Sequence, residues 1–327
     1  MKTICFHSQL ASSLDKFVLL HQASGTDYQS SALLLMRFDH FLTQQKIEPD
    51  VITQRLFQDY LATCSQMKPR YKANCLGVVS QFCRYLALTK PDCYIPLTIA
   101  TKSSEDAYNP FIIAREALSD LLALARQLPP SGSLRPLMFT TLIGLLYCTG
   151  IRVGEALALN IDDLDLNHQR LLIRQGKYHK ARWIYLSASA IKQLNDYLQQ
   201  RQRIILDKTE VDKIEAPLFI SSRKRRLAHP TLTHTFRKLC QQCGIIQNNR
   251  TPRLLDLRHT FATHRLLHWY REGIDVQSKL PALATHMGHV DIFSTQVYLH
   301  AIPELNDLVS EKFKTHCQTI LNRGTQS

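Results

Sequence analysis

The hydrophobic positions in the first third of the chain repeat with the spacing of amphipathic helices. Three sets of apolar residues recur at intervals of three and four, within residues 32–42, 56–61 and 76–86. Each set therefore covers one side of a helical wheel. The pattern predicts a helical N-terminal domain whose apolar faces turn inward.

The stretch 90–110 interrupts this periodicity. It contains Pro91, Pro96 and Pro110 and the polar run T-K-S-S-E-D, a composition typical of a linker. We place the boundary between residues 103 and 108, which predicts an N-terminal domain over 1–105 and a second domain over 106–327.

The second domain mixes helical and strand patterns. Residues 136–147 form an apolar helical run that ends near Gly150, a residue suited to the left-handed cap. Two short β-rich runs, 171–174 and 183–186, predict a hairpin. A helix is predicted over 252–268, with Thr251 as N-cap and Pro252 in the first position, and another over 303–321. The expected fold is mainly α with a small β-sheet, an α+β class.

The charge balance is strongly basic. The 327 residues include 40 Lys and Arg against 27 Asp and Glu, a formal net charge of +13. Such a surface attracts polyanions, of which nucleic acid is the commonest, although a merely basic protein has the same balance. The segment K-P-R-Y-K supplies Lys68, Arg70 and Lys72 as predicted DNA contacts; a solvated turn fits it equally well.

Cysteine usage and hydropathy predict a reducing, cytoplasmic environment. The nine cysteines are scattered and odd in number, which argues against a disulfide framework. Cys240 and Cys243 form a C-x-x-C without a second pair, so a helical pair is favoured over a metal site. We recognise no signal peptide, and the longest apolar stretch, 138–148, is too short to span a bilayer.

Five residues in four motifs form a set suited to phosphodiester chemistry. Arg152 lies in T-G-I-R-V-G-E-A-L, Lys177 in G-K-Y-H-K-A-R and Arg258 in L-L-D-L-R-H-T, while Tyr298 follows His289 of H-M-G-H by nine positions. Arginine forks bind phosphate oxygens, an ammonium can protonate a leaving oxygen, and a phenol can attack phosphorus.

These motifs, in this order and spacing, resemble those of the tyrosine recombinase (phage integrase) family over about residues 108–303. The segment before them resembles the family's helical DNA-gripping domain. The resemblance implies a site-specific recombinase that cuts and rejoins double-stranded DNA through a 3′-phosphotyrosine, without cofactor, ATP or metal. It also implies that four protomers assemble on two DNA sites. The biological role that it implies is recombination for a mobile element or in chromosome maintenance.

The same resemblance assigns the roles. Arg152 and Arg258 clamp the phosphate, Lys177 protonates the departing 5′ oxygen, His289 hydrogen-bonds a phosphate oxygen, and Tyr298 is the nucleophile. Two nearby cations, Lys180 and Arg182, could support the lysine or contact DNA phosphates.

One position departs from the family pattern. The family usually carries histidine three residues before the second arginine, where this chain has Leu255. In a helix, Leu255 and Arg258 share a face, and leucine transfers no proton. Three outcomes stay open: slower catalysis, substitution by another group, or DNA binding without catalysis. The nearest substitutes in sequence are His259, His286 and Asp256.

Two further enzyme classes compete with this hypothesis. A relaxing topoisomerase would use the same phosphotyrosine chemistry without strand exchange. A metal-dependent nuclease is disfavoured, because no carboxylate cluster accompanies the basic motifs.

Overall fold

The computed structural model describes residues 4–45, 50–96, 110–174, 181–206, 216–247, 249–288 and 295. The chain divides into two compact units, Met1–Tyr108 and Asn109–Ser327. The helix predicted over 303–321 lies outside the described residues. Among the helices that are described, none has the length and apolarity needed to cross a membrane.

The described residues of the N-terminal unit form four helices. They are α1 (Ala11–Ala23), α2 (Gln29–Thr43), α3 (Gln54–Thr63) and α4 (Pro69–Ala87). The three apolar sets predicted α2, α3 and α4. The periodicity of α1 is less clear, because exposed Leu19 and Leu20 extend the apolar run beyond its buried face.

Aromatic side chains fill the core of this unit. Helix α4 contacts both α1 and α2, and its Phe82 meets Phe17 of α1 edge-on at 5.5 Å between ring centroids. Phe38 of α2 meets Tyr60 of α3 in the same way at 4.9 Å. Edge-to-face pairs of this kind add to the stabilisation that burial provides.

The C-terminal unit contains seven described helices, a 3₁₀ turn at Ile161–Asp163 and a three-stranded sheet. The helices are α5 (Arg115–Ala125), α6 (Leu134–Thr149), α7 (Val153–Ala158), α8 (Ala188–Leu206), α9 (His229–Gln242), α10 (Leu254–Arg271) and α11 (Val276–Met287); the strands are β1 (Leu164–Asp165), β2 (Arg170–Ile173) and β3 (Arg182–Tyr185).

The predicted hairpin is present as β2 and β3, which pair antiparallel with Leu171 opposite Ile184. Strand β1 pairs with β2 as well, but two residues are too few for a recognisable alternation. The apolar helix α6 contacts α5, α8 and α10 and ends at Gly150 in the left-handed conformation, with φ 63°. The predicted mainly α fold with a small sheet is confirmed.

The start of α10 corrects one prediction. Arg253, not Thr251, is the N-cap, and Pro252 precedes the helix instead of occupying its first position. The buried Asp256 carboxylate decides the start, because it accepts the Arg253 backbone N–H at 2.7 Å. A carboxylate three residues after the cap is the usual anchor for this donor.

The C-x-x-C segment lies at the end of α9. Cys240 is buried in the helix, Cys243 is its C-cap, and Gly244 follows with φ 65°. Within the described parts of the chain, no three His, Cys, Asp or Glu side chains are grouped as a metal site would require.

Candidate active site

Arg152 lies at the junction between α6 and α7, where it is the N-cap of α7. Its backbone N–H donates to Glu155 Oε2 at 2.9 Å, and its Nη1 donates to Glu155 Oε1 at 2.9 Å. A carboxylate in the first turn satisfies a free N–H and interacts favourably with the helix dipole. The backbone and the side chain of Arg152 are therefore held by the same carboxylate.

Arg258 lies in the second turn of α10 and is only 4% exposed. Its Nη1 donates to the carbonyl of Gly150 at 2.6 Å, although the two residues are 108 positions apart. Its Nη2 donates to the carbonyl of Met287 at 2.8 Å. The side chain thus joins the end of α6 to the end of α11.

The C-terminus of α11 is the meeting point of three arginines. Besides Arg258, Arg152 donates through Nη2 to the Gly288 carbonyl at 2.7 Å, and Arg182 donates through Nε to the His286 carbonyl at 3.0 Å. The last carbonyls of a helix lack partners within it and carry the negative end of its dipole. Cations are stabilised there, which accounts for this convergence.

Arg182, at the start of β3, faces inward and its side chain is only 12% exposed. Its Nη1 and Nη2 donate to Glu155 Oε1 and Oε2 at 3.1 and 2.8 Å, a bidentate pair. Burial alone would raise the pKa of Glu155, but the hydrogen bonds from Arg182 and Arg152 hold that pKa below its ordinary value. Glu155 is therefore a carboxylate shared by two guanidinium groups.

His286 lies in the last turn of α11 and contacts the end of α6. Its Nε2 donates to the Thr149 carbonyl at 2.8 Å, and its ring stacks on Phe261 at 5.5 Å between centroids. Burial, with the nearby arginine charges, lowers the pKa of His286 despite the bond to Thr149. The lowered pKa favours the neutral ring, and the backbone already engages its Nε2.

Of the other two candidate substitutes for the missing histidine, Asp256 is buried and His259 is half-buried. Asp256 has no exposed surface and anchors the start of α10. Burial lowers the pKa of His259. Leu255, by contrast, is 44% exposed, so its apolar side chain remains accessible beside the buried Arg258.

Four predicted residues lie outside the described part of the chain: Lys177, Lys180, His289 and Tyr298. Lys177 and Lys180 belong by sequence to the connection between β2 and β3. His289 directly follows Gly288, the residue whose carbonyl Arg152 binds.

A separate basic group lies at the N-terminus of α4. Lys68 is the N-cap and Pro69 opens the helix. Lys68 and Arg70 are exposed and Lys72 is half-buried. A helix N-terminus carries free N–H groups and a positive partial charge, so this group suits an anion.

Sequence reasoning missed Glu155 and gave Arg182 another role. The spacing R-x-x-E at a helix start is a capping pattern, which could have identified Glu155. Arg182 lies two positions before the buried Ile184 and so shares its face of the strand. The backbone carbonyls of 150 and 286–288, which organise the arginines, have no sequence signature.

Comparisons with known proteins agree with this architecture. The model of the phage integrase family matches residues 113–304. The chain is 31% identical over 303 residues to "Putative integrase/recombinase y4rB" of Sinorhizobium fredii, covering 91% of this chain and 95% of that protein. It is 28% identical over 291 residues to tyrosine recombinase XerD of Bifidobacterium longum, covering 87% and 89%.

The fold is also similar to solved structures. A crystal structure of the XerH site-specific recombinase, in a post-cleavage complex with a palindromic difH substrate, aligns with a TM-score of 0.66 at 20% identity. The alignment covers 94% of this chain and 86% of that one.

Fold and relatives together define a DNA recombinase of the tyrosine type. The chain belongs to the phage integrase family. The family and the enzyme class that the motifs predicted are confirmed.

Proposed function

We propose that this protein cuts and rejoins DNA at specific sites, with Tyr298 as the nucleophile and a 3′-phosphotyrosine as the intermediate. The gathering of Arg152 and Arg258 at the end of α11, immediately before His289, is the observation that carries this proposal. Two cations from distant parts of the chain are brought to one place, as an anionic transition state requires.

The chemistry follows from the charges. A phosphodiester is anionic and repels a nucleophile, so Arg152 and Arg258 would neutralise its non-bridging oxygens. The Tyr298 oxygen forms a bond to phosphorus while the bond to the 5′ oxygen breaks, and Lys177 supplies the proton that this oxygen needs. The phosphotyrosine retains the bond energy, and a 5′-OH of another strand can reverse the step.

Proton removal from Tyr298 is the step that Leu255 puts in question. An exposed leucine occupies the position of the family's usual histidine. The second candidate function is therefore that of a catalytically impaired recombinase relative that acts as a DNA-binding protein. General acid–base help is worth about 10²–10⁴ in rate. Leu255→His should therefore speed cleavage; an unchanged or lower rate would mean that another group already compensates.

DNA binding is proposed for both units. Lys68, Arg70 and Lys72 at the start of α4 would contact backbone phosphates, as would Lys180. Arg182 is better suited to another role, because its Nε, Nη1 and Nη2 all donate to Glu155 or to a backbone carbonyl. We further propose that the protein acts as a tetramer on paired DNA sites and recombines the DNA of a mobile element. Its proposed location is the cytoplasm.

A covalent-capture experiment tests the proposal without knowledge of the target sequence. The purified chain is mixed, in EDTA, with a pool of nicked duplexes whose arms are randomised. Cleavage next to a nick releases a short strand that diffuses away, so the protein–DNA adduct persists on a denaturing gel. The captured DNA, when sequenced, gives the site.

The expected result is an adduct with the wild type and with Tyr185→Phe, a matched change at an exposed tyrosine, but none with Tyr298→Phe. Filter binding of the same DNA without any adduct would favour the DNA-binding alternative. An adduct that survives in Tyr298→Phe would contradict the assignment of the nucleophile.

A further inference from the structure

Arg182 uses each nitrogen of its guanidinium group inside the protein. Nη1 and Nη2 hold the two oxygens of Glu155 at 3.1 and 2.8 Å. Nε donates to the His286 carbonyl at 3.0 Å, and Nη2 also approaches the Met287 carbonyl at 3.4 Å. The side chain therefore connects three elements: its own strand β3, the start of α7 and the end of α11.

The carboxylate that Arg182 holds is the same one that orients Arg152. Glu155 accepts both the backbone N–H and the Nη1 of Arg152 at 2.9 Å. Without Arg182, a buried carboxylate would lose its bidentate partner and would tend to take up a proton or turn toward water. Either change would release the Arg152 guanidinium from its present direction.

The guanidinium of Arg182 also packs against the turn that leads to His289. Gly288 adopts φ 67°, and a Cβ added there would lie 2.8 Å from Arg182 Cζ and Nη1. The close approach thus depends on glycine at 288. Contact with the Gly288 backbone and bonds to the two preceding carbonyls fix the point where the chain leaves α11.

We propose that Arg182 is a positioning residue, which aligns Arg152 through Glu155 and fixes the turn at Gly288 through the last carbonyls of α11. This inference rests on the proposed function, since the aligned groups are those that would bind the phosphate. It replaces the DNA-phosphate contact that the sequence suggested for Arg182 with an interior role.

The test compares Arg182→Gln with Arg201→Gln on a nicked duplex selected by covalent capture. Arg201 is a matched control, because it is buried and donates to a backbone carbonyl, that of Pro217. At saturating protein, Arg182→Gln should slow adduct formation on the order of 100-fold, the cost of about 1 Å of misplacement. Its DNA affinity and the salt dependence of that affinity should stay unchanged.

Arg182→Lys separates alignment from charge. Lysine keeps the cation but cannot form the bidentate pair, so at least a roughly 10-fold loss of rate should remain. Full recovery with lysine would overturn the proposal in favour of simple electrostatics. A salt slope that falls by about one would instead identify Arg182 as a phosphate contact. If Arg182→Gln slows the reaction no more than Arg201→Gln does, Arg182 contributes only to the stability of the fold.

Hydrogen exchange gives a readout that needs no catalysis. Arg182→Gln should speed amide exchange in segments 152–155 and 286–288, whereas Arg201→Gln should not. A wild type that forms no adduct would refute the proposed function but leave this measurement intact. Unchanged exchange in both segments would refute the positioning role whatever the activity.

Discussion

The aromatic core of the N-terminal unit and the arginine cluster of the C-terminal unit are both buried, but they are stabilised by opposite means. Around Phe82, apolar rings pack edge-on. Around Glu155, guanidinium groups meet a carboxylate and helix-end carbonyls. The first arrangement tolerates changes in detail as long as volume is conserved, whereas the second depends on the direction of each hydrogen bond.

This difference predicts that the largest loss of stability comes from the apolar core. Phe82→Ala should cost about 3–5 kcal/mol, the usual range for removing a buried aromatic ring. Circular dichroism in urea should report the loss. Trp183 and Trp269, the two tryptophans of the chain, lie in the C-terminal unit, so the fluorescence transition should keep its midpoint.

Leu88→Ala is the control for this change, because Leu88 is 81% exposed and its removal should cost less than about 0.5 kcal/mol. Equal losses for the two variants would contradict the account of the core.

Two left-handed glycines separate backbone strain from close packing. Gly150 and Gly244 both have positive φ, but a Cβ at Gly150 would lie 2.2 Å from the Phe261 ring, while nothing lies within 4 Å at Gly244. Both alanine variants pay about 1–2 kcal/mol for the conformation. Gly150→Ala should lose roughly 1–3 kcal/mol more from overpacking. Tryptophan fluorescence in urea measures both variants; equal costs would mean that Phe261 moves aside freely.

The shared carboxylate should make the stability of the site depend on pH. Glu155→Gln should cost about 1.5–3 kcal/mol at pH 7, the range for hydrogen bonds to charged groups. The folded pKa of Glu155 lies below its ordinary value of 4.5, so the unfolded chain binds the proton first as pH falls. The contribution is complete above that value and is lost as pH falls through the folded pKa.

Thermal unfolding of the wild type and of Glu155→Gln should therefore differ at pH 7, and the difference should shrink as pH falls below 4.5 and vanish below the folded pKa of Glu155. A difference that stays constant over this range would show that the charge of Glu155 does not matter.

The smallest expected effect concerns the basic start of α4. Replacing Lys68 and Arg70 together by glutamine should reduce the slope of log affinity for duplex DNA against log salt by about two, one for each phosphate contact. Lys16→Gln, at an exposed lysine of α1, should leave the slope unchanged. If the double variant and the control have the same slope, Lys68 and Arg70 do not contact the DNA phosphates.

The two regions also differ in how far the sequence predicts them. Periodic apolar residues predict helices α2, α3 and α4 directly, and a continuous apolar run predicts α6, because both patterns lie between neighbours in the chain. Arg152 and Arg258 are recognisable only through a family pattern. Their bonds to the carbonyls of 150, 287 and 288 depend on backbone groups that every residue possesses. The start of α10 also differs from the prediction. It depends on the Asp256 carboxylate, which tertiary packing buries and which accepts the Arg253 backbone N–H.

The proposed role of Arg152 is to neutralise the negative charge of the scissile phosphate. Its most direct test is the ratio of wild-type to Arg152→Ala cleavage rates on two nicked duplexes of the captured sequence, one with a phosphodiester and one with an uncharged methylphosphonate at the scissile position. If Arg152 has this role, the ratio should be about 10²–10³ on the phosphodiester and much smaller on the methylphosphonate. The same ratio on both would contradict it.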